Sequence, residues 1–325
     1  MTKLRIAFTD FWPDFDPENN FLTDTLRQIQ DIEIVNPDAK PQLLIYSIFG
    51  YDNLKHFDSI RLYYTGENDV PDFNLCDYAI SFHHISYRNR HLRQPIYVRW
   101  QGFNNLRDRQ RMPLPEQKRG FCSYVVSNNW CSDPIRTQIF EELSKYKFVA
   151  SGGRHANNIG GPVKDKLDFL NKYKFNIAFE NSRVEGYTTE KIVEALAART
   201  VPIYWGDPLV NIDINPRSFI NISDFASLSE AIEYIKQVDA DNALYESYLD
   251  ADPVDKNGYL DWEDQLRVFL TTIIEQGQRH IPDYGLGAKF HQNVLEKEEL
   301  YHSKHIRNLL KSYKHIISLK KRLFR

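Results

Sequence analysis

Short apolar runs alternate with amphipathic segments along most of the chain. Leu43–Tyr46 is one such run, with four apolar residues in succession, the pattern of a strand covered on both faces of a parallel sheet. Leu22, Leu26 and Ile29 recur at helical spacing, which places them on one face of a helix over 21–30. This alternation predicts an α/β fold.

The alternation occurs as two consecutive series, separated by a polar, basic and proline-interrupted stretch at 103–119 that predicts a linker. Two such series predict two Rossmann-like domains facing across a cleft. The strands predicted in the first series are 4–9, 32–35, 43–48, 60–64, 78–82 and 96–100. The second series is predicted to have strands at 121–127, 174–179 and 201–206, and helices at 134–145, 165–173, 188–199, 227–238 and 241–250.

The last segment of the chain, 301–325, contains no acidic residue. Its apolar positions, from Ile306 to Phe324, fall on one helical stripe, and lysines and arginines occupy the other side. A basic amphipathic helix is typical of a membrane-surface element, and its dense positive charge favours an anionic lipid surface. Packing of the helix on the protein body is the alternative.

Composition narrows the class of protein further. The net charge of −3 provides no strong field for nucleic acid, so we expect no nucleic-acid partner. Cys76, Cys122 and Cys131 form no CxxC pair and no metal-ligand spacing with histidine, which predicts a reducing compartment. No secretory h-region and no apolar run of about 20 residues is present. We therefore expect a cytoplasmic protein of bacterial type, held peripherally on the inner membrane by its basic tail.

Residues 175–206 contain the candidate chemistry. A strand ends in FENS at 179–182, a loop containing Gly186 follows, and a helix begins near Thr188. The carboxyl end of a strand that faces a helix N-terminus is where α/β folds bind phosphates and nucleotides. The segment therefore predicts a nucleotide site.

Three side chains in this segment suit such a ligand. Lys191 would add positive charge, Glu190 would accept hydrogen bonds from ribose hydroxyls, and Tyr187 would donate to phosphate or stack on a ring. Taken singly, each residue is better explained without a ligand, Glu190 as favourable charge in a first helical turn and Lys191 as a solvated side chain.

The same segment resembles the donor-binding motif of the α-1,3/4-fucosyltransferases, the tenth glycosyltransferase family, and is most similar to its bacterial members. The matching elements are FNIAFENS, YTTEK and VPIYWG. Two further blocks occur in the family's order: RLYYTGENDVPDFNLCDYAI at 61–80 and KRGFCSYVVSNNWCSDPIR at 118–136. The resemblance covers roughly 60–285.

The resemblance implies a GT-B-type fold of two Rossmann-like domains and an inverting transfer. It implies an acceptor-binding domain at 1–117, a GDP-sugar donor domain at 118–290 and the basic amphipathic helix at 291–325. The implied reaction moves L-fucose from GDP-fucose to a hydroxyl, O3, of N-acetylglucosamine in a glycan such as lipopolysaccharide O-antigen, forming an α-1,3 linkage of the Lewis-antigen type.

Roles for individual residues also come from the resemblance. Glu67, in the GEN of the second block, matches the carboxylate that acts as general base. The residues matching donor contacts are Arg136 for the diphosphate, Asn181 and Tyr187 for the donor, Glu190 for the ribose and Lys191 for the phosphates. Two cations can stabilise the departing GDP without metal. No cofactor is required on this view, while stimulation by Mn²⁺ or Mg²⁺ stays open.

Several alternatives stay open at this stage. Asp69, Asp72 and Glu180 compete with Glu67 as base. The D-x-D pairs at 14–16, 239–241 and 250–252 have the form of a metal motif, but polar loops and helix edges explain them as well. A transferase of another GDP-deoxysugar is the alternative enzyme, and a catalytically silent sugar- or nucleotide-binding protein at the membrane surface is the alternative of a different class. Heptad-like repeats are absent before the tail and the 103–118 loop is short, so oligomeric state, linkage position and acceptor are undetermined.

Overall fold

The computed structural model describes residues 3–56, 58–100, 102–107, 113–114, 119–127, 132–254, 261–280, 293, 296–297, 303 and 308–309. The predicted helix at 291–325 lies almost entirely outside the described residues, as does most of the 108–118 stretch. No helix within the described residues is long and apolar enough to span a bilayer.

The helices and strands alternate over most of the described chain. The strands are β1 (Leu4–Thr9), β2 (Ile32–Ile34), β3 (Leu43–Tyr46), β4 (Ile60–Tyr64), β5 (Tyr78–Ser81), β6 (His91–Arg93), β7 (Gly120–Tyr124), β8 (Val149–Ser151), β9 (Tyr173–Phe179), β10 (Val201–Trp205) and β11 (Ile220–Asn221). The helices are α1 (Phe21–Ile29), α2 (Gly102–Arg107), α3 (Ile135–Tyr146), α4 (Lys166–Asn171), α5 (Glu190–Ala197), α6 (Leu228–Ala240), α7 (Asn242–Asp250) and α8 (Trp262–Gln276).

The chain divides into two compact units. The first comprises the described residues of Met1–Ile80, Ser86–Leu92 and Glu263–Arg325, and the second those of Ser81–Ile85 and Arg93–Trp262. The predicted domain limits placed α8 with the second series, but Leu266 and Leu270 on this helix are buried in the core of the first unit.

The first unit contains a six-stranded sheet in the order β2-β1-β3-β4-β5-β6, with parallel pairing from β2 through to β5. Helix α1 begins where the Asn20 side chain accepts hydrogen bonds from the backbone N–H groups of Leu22 and Thr23. The chain passes from β1 to β2 and then to β3 on the other side of β1. The topological switch point of this sheet therefore lies between the carboxyl ends of β1 and β3.

The second unit contains a five-stranded, fully parallel sheet in the order β11-β10-β9-β7-β8. Its strands are buried on both faces, which explains why they are near-continuous apolar runs. The chain passes from β7 to β8 and then to β9 on the far side of β7, so the switch point lies between the carboxyl ends of β7 and β9. The predicted α/β class with parallel sheets is confirmed.

Two local predictions were wrong. The strand at 96–100 is a 3-10 helix, Ile96–Arg99, in which Tyr97 is buried against Phe103 at a ring-centroid distance of 5.0 Å. The predicted linker begins with helix α2, because its Phe103 and Leu106 are buried in the same apolar cluster as α5 residues.

Candidate active site

The carboxyl end of β9 is tied to the start of α5 by one buried carboxylate. Glu180, the residue after β9, has no solvent exposure. Its Oε1 accepts a hydrogen bond from the Thr189 backbone N–H at 2.8 Å, and its Oε2 accepts from the Thr189 hydroxyl at 2.7 Å and from the Lys191 ammonium at 2.9 Å. A carboxylate buried this deeply needs such partners, and together they fix where α5 begins.

Lys191 is held as a fixed positive charge at the start of α5. Its Nζ also donates to the Thr189 hydroxyl at 2.7 Å and lies 3.5 Å from a carboxylate oxygen of Glu190. Burial lowers the pKa of Lys191, but the Glu180 and Glu190 carboxylates outweigh that effect and raise it above its ordinary value. The ammonium is therefore protonated at any physiological pH.

Glu190 presents an ionised carboxylate in the first turn of α5. Burial raises the pKa of Glu190. The positive charges of Lys191 and Lys166 lower this pKa by more than burial raises it, so the net shift is downward. The side chain is 39% exposed, so solutes can reach it. An accessible carboxylate of this kind is suited to accept hydrogen bonds from a pair of sugar hydroxyls.

Arg136, in the first turn of α3, extends from the β7 side of the switch point to the carboxyl end of β9. The side chain is buried, and its Nη1 donates to Asn181 Oδ1 at 2.7 Å and to Ser132 Oγ at 2.8 Å. Its Nε is buried without a hydrogen-bond partner in the part of the chain that the structure describes. A guanidinium with an unused buried donor is suited to a ligand that carries acceptor oxygens.

Electrostatics link Arg136 to the start of α5. Burial lowers the pKa of Arg136, and the negative charges of Glu180 and Glu190 partly offset this effect. Both carboxylates are therefore within electrostatic range of the guanidinium. Since Asn181 directly follows Glu180, the contacts of Arg136 and Lys191 meet at the end of a single strand, β9. The structure thus brings the predicted residues of this unit together at the sheet edge where α/β folds bind ligands.

The loop between β9 and α5 is anchored by Asp207, a residue that the sequence analysis missed. The buried Asp207 carboxylate accepts hydrogen bonds from the Gly186 N–H at 2.7 Å, the Thr188 hydroxyl at 2.9 Å and the Leu209 N–H at 2.7 Å. The available signal was an acidic residue directly after the strand-ending YWG.

Tyr187 lies in this anchored loop. It is buried, and its ring packs on Phe82 with centroids 5.2 Å apart. Gly186 before it has a φ of +82°, and a Cβ there would lie 2.6 Å from the Phe82 carbonyl oxygen. Glycine is therefore required at this position for the loop to reach its place.

On the resemblance to the fucosyltransferases, which implies a GDP-sugar donor, we expect Asp207→Ala to lower GDP affinity by about ten-fold and the free energy of unfolding by about 1–3 kcal/mol, because two backbone N–H groups and a hydroxyl lose their buried acceptor. Isothermal titration with GDP and thermal unfolding measure both quantities. Asp250→Ala, at an exposed position of the same unit, is the matched control. GDP affinity and stability both equal to those of the native chain would contradict the anchoring role.

Glu67 belongs to the first unit, where it follows β4. A turn fixes its backbone: its N–H donates to the Thr65 hydroxyl at 2.9 Å, and its carbonyl accepts from the Asp69 N–H at 2.8 Å. The side chain is exposed, and none of the described residues pairs with its carboxylate. The competing carboxylates are engaged, since Asp69 accepts from the Tyr63 hydroxyl at 2.5 Å and Asp72 accepts from the Asn74 N–H at 2.8 Å.

The described residues contain no group of three or more His, Cys, Asp or Glu side chains that could hold a metal ion. Of the D-x-D pairs, the one at 239–241 has its first carboxylate committed to Lys147 and Lys174. Metal dependence therefore stays a prediction.

Two family models match the chain. The alpha-(1,3)-fucosyltransferase FucT N-terminal domain matches residues 6–100, and the glycosyltransferase family 10 (fucosyltransferase) C-terminal model matches residues 115–279.

Relatives with similar sequences include the alpha-(1,3)-fucosyltransferase FucT of Helicobacter pylori, 34% identical over 290 residues that make up 77% of this chain and 60% of that protein. The 4-galactosyl-N-acetylglucosaminide 3-alpha-L-fucosyltransferase 9 of Mus musculus is 37% identical over 139 residues, or 42% of this chain and 37% of that protein. The chain thus spans 60% or less of the length of these curated relatives.

Solved structures show the same fold. An alpha1,3-fucosyltransferase crystallised with GDP-fucose matches with a TM-score of 0.71 and 31% identity, over 86% of this chain and 93% of that one. The structure of an alpha1,3-fucosyltransferase with GDP matches with a TM-score of 0.71 and 32% identity, over 84% of this chain and 90% of that one.

Proposed function

The chain belongs to glycosyltransferase family 10, the fucosyltransferases, and on that premise we propose that it is an inverting α-1,3-fucosyltransferase. It moves L-fucose from GDP-fucose to O3 of an N-acetylglucosamine residue in a glycan. The predicted family resemblance is confirmed by the two family models and by the similar structures. The relatives' names, which specify an α-1,3 transfer and a galactosyl-N-acetylglucosaminide acceptor, support the linkage and the acceptor, and the similar structure crystallised with GDP-fucose supports the donor.

The observation that carries the proposal is that Arg136 and Lys191 are held at the carboxyl end of β9, where they bind the consecutive residues Asn181 and Glu180. Arg136 has a planar guanidinium whose buried Nε–H has no partner among the described residues, and Lys191 has an ammonium held by Glu180. A guanidinium and an ammonium beside the N-terminus of α5 form a site for two adjacent phosphates. Glu190 is then placed to bind the ribose hydroxyls, and Asn181 and Tyr187 contribute further donor contacts.

Arg136 and Lys191 also stabilise GDP as the leaving group of the reaction. As the bond between fucose C1 and the phosphate oxygen of GDP breaks, negative charge grows on the diphosphate. Two cations already fixed by the protein stabilise that charge without reorganisation. No resident metal is needed, although Mn²⁺ or Mg²⁺ would act on the same diphosphate.

Glu67 is the general base that activates the acceptor hydroxyl. Its carboxylate takes the proton of the acceptor O3 hydroxyl as that oxygen forms its bond to fucose C1. Displacement from the face opposite GDP inverts the configuration at C1, through a transition state with oxocarbenium character. The products are the fucosylated glycan, GDP and protonated Glu67, which returns its proton to solvent.

The cellular setting follows from the same proposal. A glycan acceptor such as lipopolysaccharide O-antigen is built on the cytoplasmic face of the inner membrane. A basic amphipathic helix at 291–325 would hold the enzyme at that surface through anionic headgroups.

A donor and acceptor panel tests the proposal. The native chain is incubated with GDP-fucose or another GDP-deoxysugar, with and without EDTA, and with glycans ending in N-acetylglucosamine or galactosyl-N-acetylglucosamine. We expect transfer from GDP-fucose alone, retained in EDTA, with an α-1,3 linkage by NMR. Equal transfer of another deoxysugar would favour the alternative enzyme, and donor binding without transfer or hydrolysis would indicate a silent binding protein.

A further inference from the structure

A continuous series of aromatic rings in the first unit extends from the core to solvent. Phe11 is the centre of the series, 6.4 Å from the Tyr64 ring, 3.9 Å from Phe15 in a stacked arrangement and 5.5 Å from Trp12. At the outer end Trp12 meets Phe49 edge to face at 6.2 Å. Trp12 is 40% exposed and Phe49 is 50% exposed. These two residues are called the aromatic platform below.

The platform occupies the topological switch point of its sheet. Trp12 follows β1 and Phe49 follows β3. The strand after β1 in the chain lies on one side of β1 in the sheet, and β3 and the later strands lie on the other side, so the strand order reverses between β1 and β3. Crevices at this position are where open α/β sheets bind ligands. In the second unit, the equivalent position is the one that carries Arg136 and Asn181.

The backbone beneath the platform is fixed. The Phe49 N–H donates to the Asp10 carbonyl at 2.9 Å, and the Asp10 carboxylate accepts from the backbone N–H groups of Asp52 at 2.9 Å and Asn53 at 2.8 Å. A Cβ at Gly50 would lie 2.4 Å from the Asp10 carboxylate, so a larger residue there would displace this carboxylate from its two backbone hydrogen bonds. The exposed rings are thus presented by a rigid support rather than by a loose loop.

The platform and Glu67 share one edge of one sheet. Strand β4, which leads to Glu67, is the neighbour of β3, and Tyr64 at the end of β4 belongs to the same aromatic series. The carboxyl ends of β1, β3 and β4 therefore present two exposed rings followed by the Glu67 carboxylate, with which none of the described side chains pairs.

This combination has a definite chemical preference. Exposed contiguous aromatic surface on a folded protein marks a binding site. The rings carry no charge and offer a flat apolar face, which matches the C–H face of a pyranose. The Glu67 carboxylate is suited to accept a hydrogen bond from a hydroxyl at the edge of the same pyranose. A phosphate or a charged peptide would gain little from the rings.

From this arrangement we infer that Trp12 and Phe49 bind a pyranose ring of the neutral acceptor glycan and so set acceptor affinity. The inference rests on the proposed function, because it takes Glu67 as the base for the acceptor hydroxyl. It adds residues to the acceptor site that no motif in the sequence specifies.

The test compares Trp12→Ala and Phe49→Ala with the native chain. Each alanine variant should raise the acceptor KM by about ten-fold or more. GDP affinity and the rate of GDP-fucose hydrolysis without acceptor should change by less than about two-fold. Trp12→Phe, which keeps a ring, should fall between Trp12→Ala and the native chain. Phe148→Ala is the matched control, since it removes a 62%-exposed ring of the second unit.

Circular dichroism and thermal unfolding establish that each variant folds. If Trp12→Ala does not fold, Phe49→Ala decides, because in the described structure its only ring neighbour is the exposed Trp12. An acceptor KM within about two-fold of the native value in a folded Phe49→Ala would overturn the inference. A parallel loss of GDP affinity would do the same, because it would indicate a general structural role.

Saturation-transfer NMR with the acceptor glycan separates this inference from the proposed function. Contacts to acceptor C–H protons in the native chain that disappear in Trp12→Ala support the platform even if no donor is turned over. Turnover in the native chain with unchanged acceptor contacts in both alanine variants would overturn the platform and leave the transferase activity standing.

Discussion

Glu67→Ala is expected to lower the turnover of fucosyl transfer by about 10²–10⁴-fold, the range over which a positioned general base contributes. GDP-fucose affinity should change by less than about two-fold, because the donor contacts proposed above lie in the other unit. Removing an exposed carboxylate with no partner among the described residues should alter the free energy of unfolding by no more than about 0.5 kcal/mol. Mass spectrometry of product, isothermal titration with GDP and thermal unfolding measure the three quantities.

Two companion variants sharpen this result. Glu67→Gln keeps the size of the side chain and removes its basicity, so it should be as slow as Glu67→Ala. Asp69→Asn changes a neighbouring carboxylate that is engaged by the Tyr63 hydroxyl, and it should keep most of the activity. Equal turnover by the native chain and Glu67→Ala would remove Glu67 from the mechanism.

Arg136→Ala should lower turnover by about 10²–10³-fold, the loss seen when a fixed donor to a developing negative charge is removed. GDP affinity should fall by about ten-fold or more, since charged hydrogen bonds contribute about 1.5–3 kcal/mol. The substitution also leaves Asn181 and Ser132 without their buried donor. We therefore expect a lower melting temperature, which thermal unfolding checks alongside titration with GDP.

Arg136→Lys separates charge from geometry at this position. Lysine keeps the positive charge but cannot present a planar fork, so affinity for GDP should be intermediate between that of the native chain and Arg136→Ala. Arg217→Ala, at an exposed arginine of the same unit, is the control for loss of one positive charge. A folded Arg136→Ala that binds GDP as tightly as the native chain would place the diphosphate elsewhere.

The difference between Arg136 and Lys191 matters for interpreting such variants. Lys191 is paired with the fully buried Glu180, so its removal leaves an uncompensated carboxylate in the core of the site. A loss of activity in Lys191→Ala would therefore combine lost phosphate binding with a displaced helix start. Within the described parts of the chain, no carboxylate is in direct contact with Arg136, so this residue gives the cleaner measurement.

Much of the local structure was predictable because it depends on neighbouring residues. Strands β1, β3, β4 and β9 are short, mostly apolar segments, as expected of strands in a parallel sheet, and α1 and α6 show helical spacing with a capping side chain at their starts. Helix α5 begins at Glu190, close to its predicted start, although the Thr189 hydroxyl bonds to Glu180 rather than capping the helix. Strands β6, β8 and β11, each of three residues or fewer, escaped prediction, whereas β2 is equally short and was predicted.

The α/β class, the course of most strands and the segment with the donor motif were predictable from the sequence, because they depend on periodicity and on contiguous residues. Four features became visible only in the folded chain: the packing of α8 in the first unit, the Glu180–Lys191 pair, the anchoring of the loop before α5 by Asp207 and the two exposed rings at the β1/β3 switch point. The Asp207 anchor and the two rings depend on strand order, which brings residues of different strands to one sheet edge. The α8 packing and the Glu180–Lys191 pair depend on how helices pack against the sheets, and local spacing along a chain contains no record of either.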